Sequence, residues 1–166
     1  MKKIYIAGPD VFEPDSVAIG KNLVQLCQKY GYEGLYPLDN IVDFSQQKHK
    51  IAQDIFDANI AMIQEADIVI ANLNPFRGKE PDSGTVFECG YAYGLKKEVY
   101  GYLSPACNYI DRFTEDERFA KEGSFYDLDA RVIEDFDYPL NLMLSCSTKI
   151  IEGSFETVLK FLKGRE

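Results

Sequence analysis

Histidine is almost missing from this chain. Its 166 residues include one, His49, and no tryptophan. A Ser–His–Asp triad or a multi-histidine zinc site therefore has almost no material to work with. Acid–base chemistry falls mainly to carboxylates, tyrosines or thiols. The four cysteines (Cys27, Cys89, Cys107 and Cys146) are scattered, with no C-x-x-C pair. Zinc-ligand spacing is absent, so no metal is expected, and buried structural thiols in a reduced compartment are the expectation. No apolar run approaches the roughly 18 residues a membrane helix needs. Met1-Lys2-Lys3 leads straight into the strand-like Ile4–Ala7, with nothing resembling a signal peptide. These absences predict a cytoplasmic protein with no membrane partner.

Basic charge is also scarce: 18 Lys and Arg stand against 27 Asp and Glu, a net charge of -9. That opposes a nucleic-acid backbone or an anionic membrane as the main partner. Ten acidic and four basic residues fall within 104–137, which therefore holds six of the nine excess charges. This stretch is long for a connection inside a compact domain. It reads either as a lid or assembly surface, or as a solvated excursion with a short helix. Length and an apolar content of 46% predict one soluble domain over 1–166, with 104–137 as its excursion.

What is present is an alternation of strand-like and helical patterns. Strands are predicted over Lys3–Ala7, Glu33–Leu38, Asp67–Leu73, Val99–Leu103 and Ser147–Ile151. Helices are predicted over 16–30, 46–66, 84–97 and 154–162, with Lys96 and Lys97 suiting the negative end of the third. Asp67–Leu73 (DIVIANL) has the near-continuous apolar character of a strand covered on both faces. The alternation predicts an α/β fold: an open, mostly parallel sheet of about five strands, with helices on both faces. Ligands in such folds bind outside the carboxyl ends of the strands. Here those ends are Gly8-Pro9-Asp10, Leu38-Asp39-Asn40 and the loop 74–83.

The stretch Pro81-Asp82-Ser83-Gly84-Thr85-Val86-Phe87-Glu88 joins the strongest strand to a helix. Thr85 and Glu88 fit a T-x-x-E capping box, in which Glu88 would simply cap its own helix. A carboxylate in a first helical turn is also held in its ionised form by the helix dipole, which suits a nucleophile or electrostatic stabiliser. Asp82 reads as a second carboxylate for the same site, or as a cap or Asx turn. A carboxylate pair suits glycosyl transfer, one attacking an anomeric carbon and the other protonating the leaving group. Tyr5, in the first strand, is either core or a contributor to the same edge. Phe12 either stacks on a planar base or covers the sheet.

Six segments together resemble the nucleoside 2-deoxyribosyltransferase family: KIYIAGPDVF (3–12), PLDN (37–40), NIAMIQEADIVIANL (59–73), PFRGKEPDSGTVFECG (75–90), PLNLML (139–144) and GSFETVLKFL (153–162). Their order spans nearly the whole chain. The resemblance implies a doubly wound, flavodoxin- or Rossmann-like sheet and a retaining two-step exchange of bases on 2′-deoxyribose. It makes Glu88 the nucleophile, Asp82 the acid that meets the nucleobase, and Tyr5 the residue that orients the nucleophile. It puts Phe12 near the base, and Gly8 and Asp39 in matching motifs. Asn141 would reach from a neighbouring subunit to the sugar, so a dimer-based homo-oligomer is implied. Some members carry an aspartate where this chain has Asn59. No cofactor is implied; the partners are 2′-deoxynucleosides and free bases.

Two other readings remain. An N-glycoside hydrolase would use the same nucleophile with water as acceptor, on 2′-deoxynucleosides or their 5′-monophosphates. A non-catalytic nucleotide sensor would have no need of the Asp82, Glu88 and Tyr5 set. A flavodoxin-like cofactor carrier is disfavoured, because Gly8-Pro9-Asp10 is not a hydroxyl-rich phosphate loop and no G-x-G-x-x-G occurs.

Overall fold

The computed structural model describes residues 1–39 and 42–165. Asn40, in the PLDN segment, lies outside the described residues. In chain order the elements are β1 (Lys3–Ala7), α1 (Ser16–Lys29), β2 (Glu33–Leu35), α2 (Lys48–Glu65), β3 (Ile68–Asn72) and α3 (Ser83–Gly94). They continue with β4 (Glu98–Leu103), β5 (Arg118–Lys121), β6 (Ser124–Asp127), α4 (Leu142–Ser147), β7 (Lys149–Glu152) and α5 (Phe155–Lys163). Five strands form one sheet in the order β2-β1-β3-β4-β7, every neighbouring pair parallel. This is the expected α/β architecture.

Strand alternation divides the core into two layers. Ile4 and Ile6 of β1 face one side with Ile68, Ile70, Tyr100 and Tyr102, and α1 and α5 cover them through Cys27, Val158, Leu159 and Leu162. Tyr5 and Ala7 face the other side with Val69, Ala71, Val99 and Leu103, beneath Ile63 of α2 and Cys89 and Ala92 of α3. β3 is buried on both faces, which is why its sequence lacks polar alternation. Each fully buried Ile or Leu contributes about 1.5–3 kcal/mol relative to exposure. The helix α1 stops at Gly31, whose φ of 86° lies in the left-handed region that glycine reaches without steric cost.

Strand order reverses between β1 and β3, so the loops leaving these two strands diverge and open a crevice at their carboxyl ends. Side chains lace that edge together. Asn72 Nδ2 donates to Asp10 Oδ2 at 3.1 Å. Asn74 Nδ2 donates to Asn72 Oδ1 at 2.7 Å, and Ser104 N donates to Asn74 Oδ1 at 3.0 Å. The ends of β1, β3 and β4 are therefore tied to one another next to the crevice.

Several expectations need correction. The second strand ends at Leu35 rather than Leu38, because the chain turns through Pro37. The last strand begins at Lys149, because Leu142–Ser147 is a short helix capped by Asn141. Lys97 does not serve its own helix: its Nζ donates to the carbonyls of Gln64 and Ala66 at the end of α2 (2.8 and 2.5 Å). Cys27 and Cys89 are buried thiols, but Cys107 is only partly buried and Cys146 is exposed. The stretch 104–137 has no α-helix; it forms two 3-10 turns and the antiparallel hairpin β5–β6. Among the described residues, no helix is long and apolar enough to cross a membrane.

Candidate active site

α3 starts earlier than the T-x-x-E pattern predicts. Its N-cap is Asp82, whose carboxylate accepts hydrogen bonds from Thr85 N at 2.9 Å and Thr85 Oγ1 at 3.0 Å. Thr85 is thus the partner of the cap and is itself buried. Glu88 is the sixth residue of the helix, beyond the reach of a capping box. It is released from capping and points elsewhere.

Tyr5 fixes where it points. The tyrosine is fully buried, 0% exposed, on the sheet face beneath α3. Its hydroxyl donates to Glu88 Oε1 at 2.6 Å. Both readings of Tyr5 therefore hold: the ring is core and the hydroxyl belongs to the site. Burial, followed by the neighbouring Glu88 charge, pushes the Tyr5 phenol well above its usual range, so it remains a donor. Tyr5 occupies one oxygen of Glu88 and leaves the other available.

The electrostatics of Glu88 reverse the sequence expectation. Burial raises its carboxyl to about 7 from an ordinary 4.5; the Tyr5 hydrogen bond pulls down and the Asp82 charge pushes up. Helix-dipole stabilisation fades beyond the first turn, and Glu88 lies beyond it. Desolvation by the sheet and helix then dominates. A carboxylate poised near neutrality and sparsely solvated is a stronger base and nucleophile than an exposed one.

Glu88 and Asp82 open onto a cavity of about 510 Å³. Gly8, Phe12, Asn59 and Thr85 line it as well, with an apolar rim that includes Leu38, Phe44 and Ile55. A Cβ on Gly8 would lie 2.6 Å from Asp10 Oδ2 and 2.9 Å from Asn72 Cβ, so only glycine lets the backbone pass here. The structure thus gathers Tyr5, Gly8, Phe12, Asn59, Asp82 and Glu88. It does not gather the other two predicted residues. Asp39 is exposed and is not part of the lining, although Pro37 and Leu38 are. Asn141 lines a separate recess of about 460 Å³ with Pro81, Val86, Tyr93 and Met143. Its Oδ1 accepts from Met143 N at 3.0 Å, and its Nδ2 donates to Glu134 Oε1 at 2.6 Å.

The model of the family described as nucleoside 2-deoxyribosyltransferase matches residues 4–143. This chain belongs to that family. A similar solved structure is a 2-desoxiribosyltransferase from Leishmania mexicana, with 35% identity and a TM-score of 0.81, covering 100% of this chain and 99% of that one. A curated relative from Thermofilum pendens is named a putative 2′-deoxynucleoside 5′-phosphate N-hydrolase 1. It is 28% identical over 91 residues, which are 54% of this chain and 59% of that protein. The fold alone is shared with a CMP N-glycosidase of Clostridium botulinum, at 15% identity and a TM-score of 0.52, over 97% and 98% of the two chains.

In this family member, residues 75–80 follow a strand end within a matching segment, but sequence reasoning missed how they pack beside the cavity. The loop 75–80 packs on Phe12: the Phe12 and Phe76 rings stack at 5.5 Å and 18°, and the Arg77 guanidinium lies 4.6 Å from the Phe76 ring. The loop is closed by Phe76 N donating to Glu80 O at 2.8 Å. The acidic excursion holds it from outside. Lys79 Nζ donates to Arg112 O and to Glu117 Oε2, each at 2.7 Å, and Arg112 Nη1 donates back to Lys79 O at 2.8 Å. Tyr109 adds a hydrogen bond to Glu80. The available signal was aromatic and basic residues (Pro75-Phe76-Arg77) directly after a strand end, but nothing local announces their packing on Phe12.

Proposed function

We propose that the protein transfers 2-deoxyribose between nucleobases by a retaining double displacement. The observation that carries this is the Tyr5–Glu88 hydrogen bond inside a cavity that also holds Asp82. In the first step the free oxygen of Glu88 attacks the anomeric carbon of a 2′-deoxynucleoside. The bond from that carbon to the base nitrogen breaks, its electron pair goes to the base, and the Asp82 carboxyl supplies the proton. A deoxyribosyl ester of Glu88 remains. A second base attacks it, gives its proton to Asp82, and restores the carboxylate. Tyr5 stabilises the departing charge on Glu88 by the hydrogen bond it already makes. Asn59 is neutral where some relatives are acidic, so it adds no further repulsion to a site with two carboxyls. Asp39 stays a candidate only for a solvent-facing role near Leu38.

A complete site takes Asn141 from a neighbouring subunit. In support, Asn141 is exposed and stands apart from the Glu88 cavity of its own chain, beside an apolar recess and the exposed Met143. Mixing Glu88→Ala and Asn141→Ala chains restores about a quarter of wild-type activity if sites are shared in a dimer, since half the dimers are mixed and each has one intact site. No recovery means that Asn141 acts within its own chain or not at all.

The second reading, hydrolysis, draws on the Thermofilum relative's name. For a 5′-monophosphate the cavity is unfavourable: among the described residues its lining includes Asp82 and Glu88 but no Lys, Arg or His, and Arg77 stands outside that lining, over the Phe12 ring. The deciding experiment is intact mass spectrometry after exposure to a 2′-deoxynucleoside, for wild type and Glu88→Ala, paired with base exchange. An adduct on Glu88 and base-dependent appearance of the new nucleoside support transfer. An adduct on another residue removes Glu88 as nucleophile. Equal sugar release with and without added base turns the assignment to a hydrolase.

A further inference from the structure

We propose that Arg77 is a specificity-determining residue that reads the acceptor edge of the nucleobase and favours 6-oxopurines over 6-aminopurines; this rests on the deoxyribosyl-transfer reading above. With the anomeric carbon at Glu88 and the base nitrogen at Asp82, the planar base must lie along the remaining wall of the cavity. Among the described residues, two aromatic side chains line the cavity, Phe12 and Phe44. Phe12 is backed by Phe76, which keeps its ring in place, and it is 56% exposed toward the opening. A base stacking on this platform gains attraction without any demand on its identity.

Identity needs a polar group, and the platform carries one. The Arg77 guanidinium lies 5.4 Å from the Phe12 ring and 4.6 Å from the Phe76 ring. The backbone of Arg77 is left-handed at φ 51°, next to Gly78 at φ 147°, so a tight turn folds the side chain back onto the rings. Lys79, one turn position further on, anchors the loop to Arg112 and Glu117. Among the described residues, no carboxylate is within hydrogen-bonding or ion-pairing distance of Arg77. Stacking uses the faces of a guanidinium and leaves its N–H donors free.

Those donors accept nothing. They match an edge that presents two acceptors, such as the carbonyl oxygen O6 and the imidazole-ring nitrogen N7 of hypoxanthine or guanine. Adenine places an amino group at the carbonyl's position, so donor would face donor there. Asp82 supplies the complementary chemistry on the other side, as the group that gives and takes a proton. The loop 75–80 thus couples the acidic excursion, which fixes it, to the choice of base.

The test is internal competition. An equimolar mixture of 2′-deoxyinosine and 2′-deoxyadenosine, with excess free 2,6-diaminopurine as acceptor, is given to wild type, Arg77→Lys and Arg77→Asn, and the released hypoxanthine and adenine are measured early. This ratio reports relative kcat/KM whether base or water is the acceptor. Asparagine tolerates the left-handed backbone, which keeps the loop intact. Wild type is expected to favour deoxyinosine. Arg77→Asn should lower the ratio at least fivefold, and Arg77→Lys, which keeps the charge without the planar fork, should fall between. An unchanged ratio in an active Arg77→Asn overturns the proposal. So does a loss confined to 2′-deoxyinosine 5′-monophosphate, run in parallel, which would make Arg77 a phosphate ligand. Release of neither base by wild type would instead sink the underlying deoxyribosyl reading, a distinct result.

Discussion

Two acidic regions of this molecule behave in opposite ways. In the excursion, carboxylates meet water and cations: the Lys79 hydrogen bond and the Thr114 amide hold Glu117 down at about 2. Under α3, a single carboxyl meets a sheet, a tyrosine and another carboxyl, and burial lifts it to about 7. Side chains of one chemical class are thus charged scaffolding in one place and candidate reactive groups in the other. Charge count locates the first region, while only desolvation identifies the second.

The largest expected effect tests whether Glu88 is the reactive member. Glu88→Ala should lower base exchange by on the order of a thousandfold or more, because no other side chain replaces an attacking carboxylate. Exchange within tenfold of wild type would dissolve the contrast between the two regions.

Tyr5→Phe sharpens it. The hydroxyl stabilises ionised Glu88, so its removal drives the Glu88 carboxyl further above 7. The acid limb of the kcat/KM profile should move to higher pH by about one unit, with a roughly tenfold or greater loss at pH 7. An unmoved limb would mean that Tyr5 is core alone.

Stability gives the third test. The fold raises the Glu88 carboxyl from 4.5 to about 7. Its protonated form is therefore favoured on folding, and that contribution is complete below about 4.5 and lost as pH rises through 7. Wild type carries the cost of a buried charge at pH 8 that Glu88→Gln does not. Urea unfolding should show Glu88→Gln more stable at pH 8 by on the order of 2 kcal/mol, with the gap shrinking toward pH 5. Equal stability at both pH values would place Glu88 in water.

The smallest effect belongs to the excursion. Asp135 is exposed and outside the Lys79 tether. Asp135→Asn should leave exchange within about twofold of wild type and Tm within about 2 °C. A large loss would show that acidic charge itself, rather than the tether at Lys79, supports the site.

Much of the candidate site was legible in the sequence. Gly8 and Phe12 follow a strand end and Asp82 closes the loop after another, where a parallel sheet exposes its loops; the scarcity of histidine directed attention to carboxylates, and the family resemblance singled out Glu88. The local pattern misled at Thr85. T-x-x-E is satisfied on paper, yet Asp82 takes the cap because it is the residue that leaves the loop with its carboxylate over the first free amides. Asn141 was legible as a motif, but not as the cap of a helix standing away from the cavity. Phe76 and Arg77 were legible as part of a matching segment after a strand end, but their packing on Phe12 was not, since stacking across 64 residues of chain leaves no local periodicity.

Sequence alone determined the alternation of strands and helices and the two-sided burial of β3, because these depend on the period and chemistry of neighbouring residues, while the family resemblance singled out the candidate carboxylate pair. Tertiary structure decided three things: that Tyr5 reaches Glu88, that Glu88 is a near-neutral acid, and that the acidic excursion grips the loop beside Phe12. Each depends on how much water remains around a group and on which distant segment replaces it, and neither quantity is written in the local order of residues.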